Sequence, residues 1–387
     1  MTHLLIAHFA NEPTVSLIMG MLVPFSIRFG VQLREKKNSL ITGEDIAWSD
    51  SVLIIRPYEV TATDILKAAK KHGKCSIVYL DDDLLHIPDL HINMLRTIIS
   101  KLLKKRNQAE LQKCLSTCDI LWGSSPVLVD KYRKYVKNGR CVRCDVTADV
   151  TRMKQANMET DYPHILFAGG SDHAELLNHY VIPAINRIAD KYPKLQITCI
   201  GVTKTQINPC EASINFIPWN NDYEEYRKTV EKGQYHIGIA VIEEDDFYKC
   251  KYYNKFIEYS LLGMMGIYTN CEPYTLIVQH GVNGLLADAS VDSWAENIAF
   301  AIEHPQNCRE YVNNAQNLIR ERFERGKLLD DIKAAMPEIC EQHGSHCMKI
   351  AFHHRYIRNI CAKLAMTVVE AYDQFVSKVE NSIFYYK

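Results

Sequence analysis

The sequence lacks a long apolar run. No window of its 387 residues approaches the roughly 20 apolar residues of a membrane span. The most apolar stretch, "LIMGMLVPF", is short and broken by Pro24. The start, "MTHLLIAHFANEP", has no basic segment ahead of an apolar one, so no secretory signal is expected. An excess of either charge is missing too. The 45 Lys and Arg residues against 46 Asp and Glu give a formal net charge of −1, and no nucleic-acid partner is expected. There is no internal repeat, no low-complexity tract and no G-x-G-x-x-G dinucleotide fingerprint.

What is present is the balance of a soluble globular protein, with 47% apolar and 24% charged residues. The length points to two or three domains. The 13 cysteines are scattered singly and odd in number, which suits reduced thiols in a cytoplasmic protein better than a disulfide framework.

Short apolar runs alternate with helical patterns. "HLLIAHF" (3–9), "SVLIIR" (51–56), "CSIVYL" (75–80) and "DILWGSS" (119–125) read as buried strands. "TATDILKAAKKHGK" (61–74) reads as a helix closed by Gly73. The pattern restarts with "HILFAGG" (164–170) and a long amphipathic helix over 171–192. "LQITCIG" (195–201), "INFIP" (214–218), "YHIGIAV" (235–241) and "GIYTN" (266–270) follow as strands. Apolar strands separated by helices imply an α/β fold with parallel sheets covered on both faces. Two such units in tandem are expected, over 1–155 and 156–325, with the join near the polar segment 151–163.

Residues 326–387 carry helix signals only, and form the third expected unit. From Ile350 two series step by seven: Ile350, Ile357, Leu364, Ala371, and His354, Cys361, Val368, Phe375. The stripe predicts a helical hairpin on the body or a helix that joins two copies of the chain. Cys340, His343, His346 and Cys347 are metal-binding residue types, but their spacing fits no common zinc module, and no metal is expected. Residues 93–118 set Leu95, Ile98, Ile99, Leu102 and Leu103 beside five basic residues. That is either a core-facing helix with a solvated back or one that leans on an anionic membrane surface.

Ligands of doubly wound sheets bind at the carboxyl ends of the strands, so the residues after each strand are the candidates. After "CSIVYL" come Asp81, Asp82 and Asp83, with His86 close by. Three adjacent carboxylates either face water around a helix cap or line a cleft and serve as hydroxyl binders or a catalytic base. After "HILFA" come Gly169 and Gly170, then His173. Glycines at a strand-to-helix turn admit a phosphate to the backbone, or simply make a tight turn. In "KYYNKFIEYSLLG" (251–263) Lys251, Lys255 and Glu258 are spaced four and three apart and are expected on one helix face. Lysines there favour a nearby anion, and the glutamate suits two ribose hydroxyls; the alternative is a surface ion pair.

"ILFAGGSDHAELLNHYVIPAINRIADKYPKLQITCIG", "FIPW", "YEEY", "KYYNKFIEYSLLG" and "CEPYTLIVQHGVNGLLA" resemble, in this order, the donor half of glycosyltransferases with the GT-B fold. The retaining family 4 group is similar over roughly 160–325, and "YLDDDLLHIP" and "LWGSSPVLVDKY" resemble sugar-transferase segments of the first half. The resemblance implies two Rossmann-like domains facing a cleft and a nucleotide-diphosphate sugar, UDP-sugar favoured, held mainly by the second domain. A glycan, lipid-linked or small acceptor would lie on the first domain, and no cofactor is implied. Glu258 matches the ribose-holding second glutamate of E-x7-E, and Gly263 the glycine that ends its helix. The first glutamate falls at Cys250, and Lys251 and Lys255 are assigned the diphosphate. The basic residues of the first donor-side helix are replaced at most by His173. The implied activity is a hexosyl transfer in glycoconjugate or polysaccharide synthesis, by a cytoplasmic protein that leans on the membrane. The alternatives are another GT-B enzyme such as a sugar-nucleotide epimerase, or a non-catalytic GT-B partner protein.

Overall fold

The computed structural model of the chain describes residues 1–10, 12–87, 94–146, 148–156, 158–170, 173–220, 222–344, 350 and 352, without the side chains at 94–100 and 103. Two parallel sheets of six strands carry the architecture. The first holds β1 (Thr2–His8), β2 (Val31–Lys37), β3 (Ser51–Ile55), β4 (Cys75–Leu80), β5 (Ile120–Gly123) and β6 (Arg140–Arg143), in the order β2-β1-β3-β4-β5-β6. The second holds β7 (His164–Ala168), β8 (Gln196–Ile200), β9 (Ser213–Ile217), β10 (Ile237–Ala240), β11 (Met265–Thr269) and β12 (Leu285–Ala287), in the order β12-β11-β10-β7-β8-β9. Every residue of β3, β4 and β5 is buried, as apolar runs covered on both faces must be.

The helices are α1 (Pro13–Phe29), α2 (Gly43–Trp48), α3 (Val60–Lys71), α4 (Met94–Thr117), α5 (Pro126–Tyr132), α6 (Ala174–Leu176), α7 (Ile182–Ile188), α8 (Tyr223–Lys232), α9 (Asn254–Leu261), α10 (Val291–Glu303), α11 (Pro305–Arg322) and α12 (Arg325–Ala335). A π turn, Leu177–Val181, joins α6 to α7. One face of the first sheet is covered by α1 and α12, the other by α2, α3, α4 and α5. In the second sheet α7 and α10 cover one face, and α8 and α9 the other. Helix α11 serves both cores, Val312 in one and Ile319 in the other.

Strand order reverses between β1 and β3 in the first sheet and between β7 and β10 in the second. Loops at the carboxyl ends of those strands part to opposite faces and leave a crevice, which is where such sheets take ligands. His8 and Arg56 stand at the first reversal, Gly169 and Val241 at the second.

Residues after Arg325 return to the first sheet. Leu329, Ile332, Met336 and Ile339 are buried with Leu4, Ile6 and Phe25, and Ile350 is buried against the α2–α3 side. The rest of the seven-residue stripe lies outside the described residues. So do His346 and Cys347, whereas His343 Nε2 approaches the Glu338 carbonyl at 3.1 Å. Among the described residues no group of three or more His, Cys, Asp and Glu could hold a metal, and every cysteine is a free thiol. No described helix is long and apolar enough to cross a membrane. The second half of α4 is a core helix: Leu111, Cys114, Leu115 and the following Cys118 are buried.

Candidate functional site

Strand β10 ends at the carboxyl edge, and the chain then crosses an acidic loop and the short turn Tyr248–Cys250 before entering α9. Helix α9 starts at Asn254, three residues later than helical spacing from Lys251 requires. Lys251 is therefore extended, with ψ of 161°, and does not share the face of Lys255 and Glu258. Tyr252 and Tyr253 are buried side by side with hydroxyls on Asp145, a tertiary contact that pins the chain before the first helical turn.

Lys255 and Glu258 do meet. Glu258 Oε2 accepts from Lys255 Nζ at 2.5 Å, and Oε1 accepts from the Tyr226 hydroxyl at 2.6 Å. Lys255 also donates to the Tyr226 oxygen at 2.8 Å. Burial, and then the Glu258 charge, push the Tyr226 phenol well above its ordinary pKa, so it remains a donor. The Glu258 side chain keeps 21% of its surface exposed at this edge. Gly263, at φ 71°, ends the helix, and a Cβ there would stand 2.7 Å from the Gln155 carbonyl oxygen.

Gly169 closes β7 across the strand reversal. A Cβ on it would fall 2.8 Å from the Phe167 ring. The His173 ring sits between Phe167 and Tyr248, with Nδ1 3.1 Å from the Val241 carbonyl. His173 thus ties the end of β10 to the turn after β7. Gly170 accepts the His173 N–H through its carbonyl at 3.1 Å.

The three aspartates have three different settings. Asp83 is fully buried and accepts from the Tyr132 hydroxyl (2.8 Å), His86 Nδ1 (2.8 Å) and Lys131 Nζ (2.6 Å). Its lone pairs are committed beneath α5. Asp81 accepts from Thr14 Oγ1 at 2.6 Å and Arg56 Nε at 2.5 Å. Asp82 accepts from Arg56 Nη2 at 2.5 Å and reaches Lys251 Nζ of the second half at 3.4 Å. Burial works against the Asp82 carboxylate, but Lys251 and Arg56 outweigh it and hold it below the ordinary carboxylate value. At Asp81 burial prevails over Arg56 and pushes the pKa up.

The halves also touch through backbone. Ser125 Oγ donates to the Cys250 carbonyl at 2.8 Å, and Lys131 Nζ to that of Asp246 at 3.1 Å. The Cys250 side chain is fully buried, and burial, with the Asp83 charge beside it, pushes the thiol up to about 12. It is a neutral wedge between the halves.

No protein-family model matches the chain, and no curated protein sequence matches it. Solved structures do. HepE of Anabaena, in complex with UDP and glucose, superposes with a TM-score of 0.62 at 12% identity, over 87% of this chain and all of that one. Sucrose-phosphate synthase of Thermosynechococcus elongatus gives 0.60 at 9% identity, over 88% of this chain and 99% of that one. An alpha-glucosyltransferase in complex with UDP gives 0.58 at 8% identity, over 87% of this chain and all of that one. The chain has the GT-B fold. In a GT-B molecule the two carboxyl edges face each other, which is why Asp82 of one half and Lys251 of the other come within 3.4 Å.

Several residues at these edges carry no sequence signal of their own. Arg56 joins Asp81, Asp82 and Glu12, and Glu12 also accepts from Tyr58 at 2.5 Å. Arg56 is the last residue of "SVLIIR", and a cation closing an apolar strand is the one hint available. Tyr226 and Trp219 stand in "YEEY" and "FIPW", segments that had pointed to a fold but to no role.

Proposed function

We propose that the chain is a glycosyltransferase that moves a sugar from a UDP-sugar to a hydroxyl of a saccharide, lipid-linked or small acceptor, with retention. The observation that carries this reading is the Glu258 carboxylate. It lies in α9, the helix entered from the carboxyl end of β10, and is half-buried and oriented by Tyr226 and Lys255. The GT-B fold, shared with proteins solved in complex with UDP, one of them an alpha-glucosyltransferase, supports the same reading.

Glu258 would hold the ribose, Gly169 and Gly170 would admit the diphosphate to the backbone, and Lys251 and Lys255 would stabilise its charge as the glycosidic bond breaks. The bond from the anomeric carbon to the β-phosphate oxygen breaks, and one to the acceptor oxygen forms. The acceptor proton goes to the departing phosphate, which retention leaves on the same face. Lys251 is already shared with Asp82, so an entering diphosphate would draw it from that carboxylate. Asp82 then faces the acceptor, whereas Asp83 is a structural group. Asp82→Asn should lower turnover at least tenfold with UDP affinity retained. Asp83→Asn should mainly lower the melting temperature. The reverse pattern would exchange the two roles.

The function is tested by UDP release from a panel of UDP-sugars, with and without mixed saccharide acceptors, next to a thermal-shift panel of nucleotide diphosphates. Acceptor-dependent UDP release and a melting temperature raised most by UDP are expected. No release and no shift with any nucleotide would overturn the reading.

A further inference from the structure

The proposed donor site needs a surface for the base, and Glu258 does not provide one. A nucleoside presents a flat, largely apolar ring beside its ribose, and aromatic side chains with an exposed face are what bind such rings in water. Of the four tryptophans, Trp122 and Trp294 are at most 1% exposed, Trp48 is half-buried with the Arg34 guanidinium over its ring, and Trp219 is 51% exposed. Exposure alone is unremarkable for a large side chain. Its placement is what counts.

Trp219 follows β9 by two residues, on the loop that leads over the carboxyl edge into α8. Successive strand ends are stitched there: the Gly169 N–H donates to Ile200 at 3.1 Å, and the Gly201 N–H to Ile217 at 3.0 Å. Gly201 has φ of 91°, a conformation that side chains rarely adopt. A Cβ on it would stand 2.1 Å from the Gly169 carbonyl oxygen and 3.0 Å from Cε3 of Trp219. The absence of that Cβ lets the indole lie against the strand end, beside the turn after β7. Helix α8 begins at Tyr223, four residues on, and its Tyr226 is the group that orients Glu258. One short segment, 219–226, thus links an exposed indole to the partner of the proposed ribose carboxylate.

We infer that Trp219 stacks on the nucleobase of the donor and sets part of the affinity for the nucleoside. This rests on the donor reading above. Stacking is tolerant of ring identity, so Trp219 binds any base face, and discrimination among bases falls to groups at the ring's edge.

The test uses the full chain and UDP. Calorimetry would compare the wild type with Trp219→Leu, which keeps apolar volume without a π-face, and Trp219→Phe, which keeps a smaller π-face. Trp219→Leu should raise the Kd for UDP by about tenfold to a hundredfold, and Trp219→Phe by about threefold or less. UDP should quench tryptophan fluorescence in the wild type and not in Trp219→Phe. Thermal unfolding of the unliganded variants should match the wild type, since a half-exposed ring carries little core packing. Wild-type affinity in Trp219→Leu would overturn the inference and leave the donor reading standing. A wild type that binds no UDP would overturn both.

Discussion

Glu258→Gln is expected to weaken UDP binding by about ten- to a hundredfold with the fold intact. A carboxylate offers about four acceptor positions. Two are taken, by Tyr226 and Lys255, which leaves two for adjacent ribose hydroxyls. Charge-assisted bonds of this kind are worth about 1.5–3 kcal/mol each, and each 1.4 kcal/mol is tenfold in affinity. The amide keeps the volume but loses the charge and one acceptor oxygen, and its NH2 cannot accept from Lys255. The lost Lys255 pair costs about 1 kcal/mol of stability or less, because both side chains are partly exposed. Calorimetry with UDP checks the affinity and thermal unfolding checks the fold. Unchanged affinity in a folded variant would reduce Glu258 to an ion-pair residue.

Arg56→Ala should have the largest effect on stability. The guanidinium serves Glu12, Asp81 and Asp82, whose side chains are only 25%, 12% and 22% exposed. Without it three carboxylates crowd one strand end with Lys251 as the remaining cation beside Asp82. Removing one partner of a buried pair costs about 3–5 kcal/mol, or about 6–20 °C for a domain of this size. The pH dependence has a definite sign. In the wild type Asp82 lies below its ordinary pKa, so its contribution is present at neutral pH and lost as pH falls below about 3.8. In the variant Asp81 and Asp82 lose the cation that lowers both, and take up protons more readily. The deficit should therefore shrink as pH falls from 7 toward 4. Backbone effects separate cleanly. Arg56 holds φ of 48°, which glycine adopts without cost, so Arg56→Gly restores the backbone preference but not the charge. A glycine variant nearly as unstable as the alanine one assigns the loss to charge; melting at the wild-type temperature in both would contradict the account.

The interior strands were legible because parallel strands buried on both faces are apolar throughout. The unread strands are β2, β6 and β12, each at a sheet edge. β2 reads "VQLREKK", half-exposed and charged, because one side of it has no neighbouring strand to cover it. Gly73 and Gly263 were legible as helix ends, and both have positive φ. The candidate site was legible in outline only. Glu258 and Lys255 lie within one helix, where spacing predicts contact. Lys251 precedes the helix, and no local spacing could place it across the interface on Asp82. Likewise "DDD" says that three carboxylates adjoin, not which cation each one meets. Arg56, Lys131 and Lys251 come from 25, 48 and 169 positions away, so only the tertiary fold sorts the three aspartates into different settings.

The central claim is that a nucleotide diphosphate binds at the carboxyl edge of the second sheet, between Gly169 and Glu258. A crystal structure of the full chain with UDP tests it most directly. The account predicts ribose hydroxyls within hydrogen-bond distance of the Glu258 carboxylate, the diphosphate against Gly169 and Gly170, and Lys251 withdrawn from Asp82 toward the phosphate. UDP seated elsewhere, or a saturated crystal whose edge holds no UDP and in which Lys251 still pairs with Asp82, would contradict it.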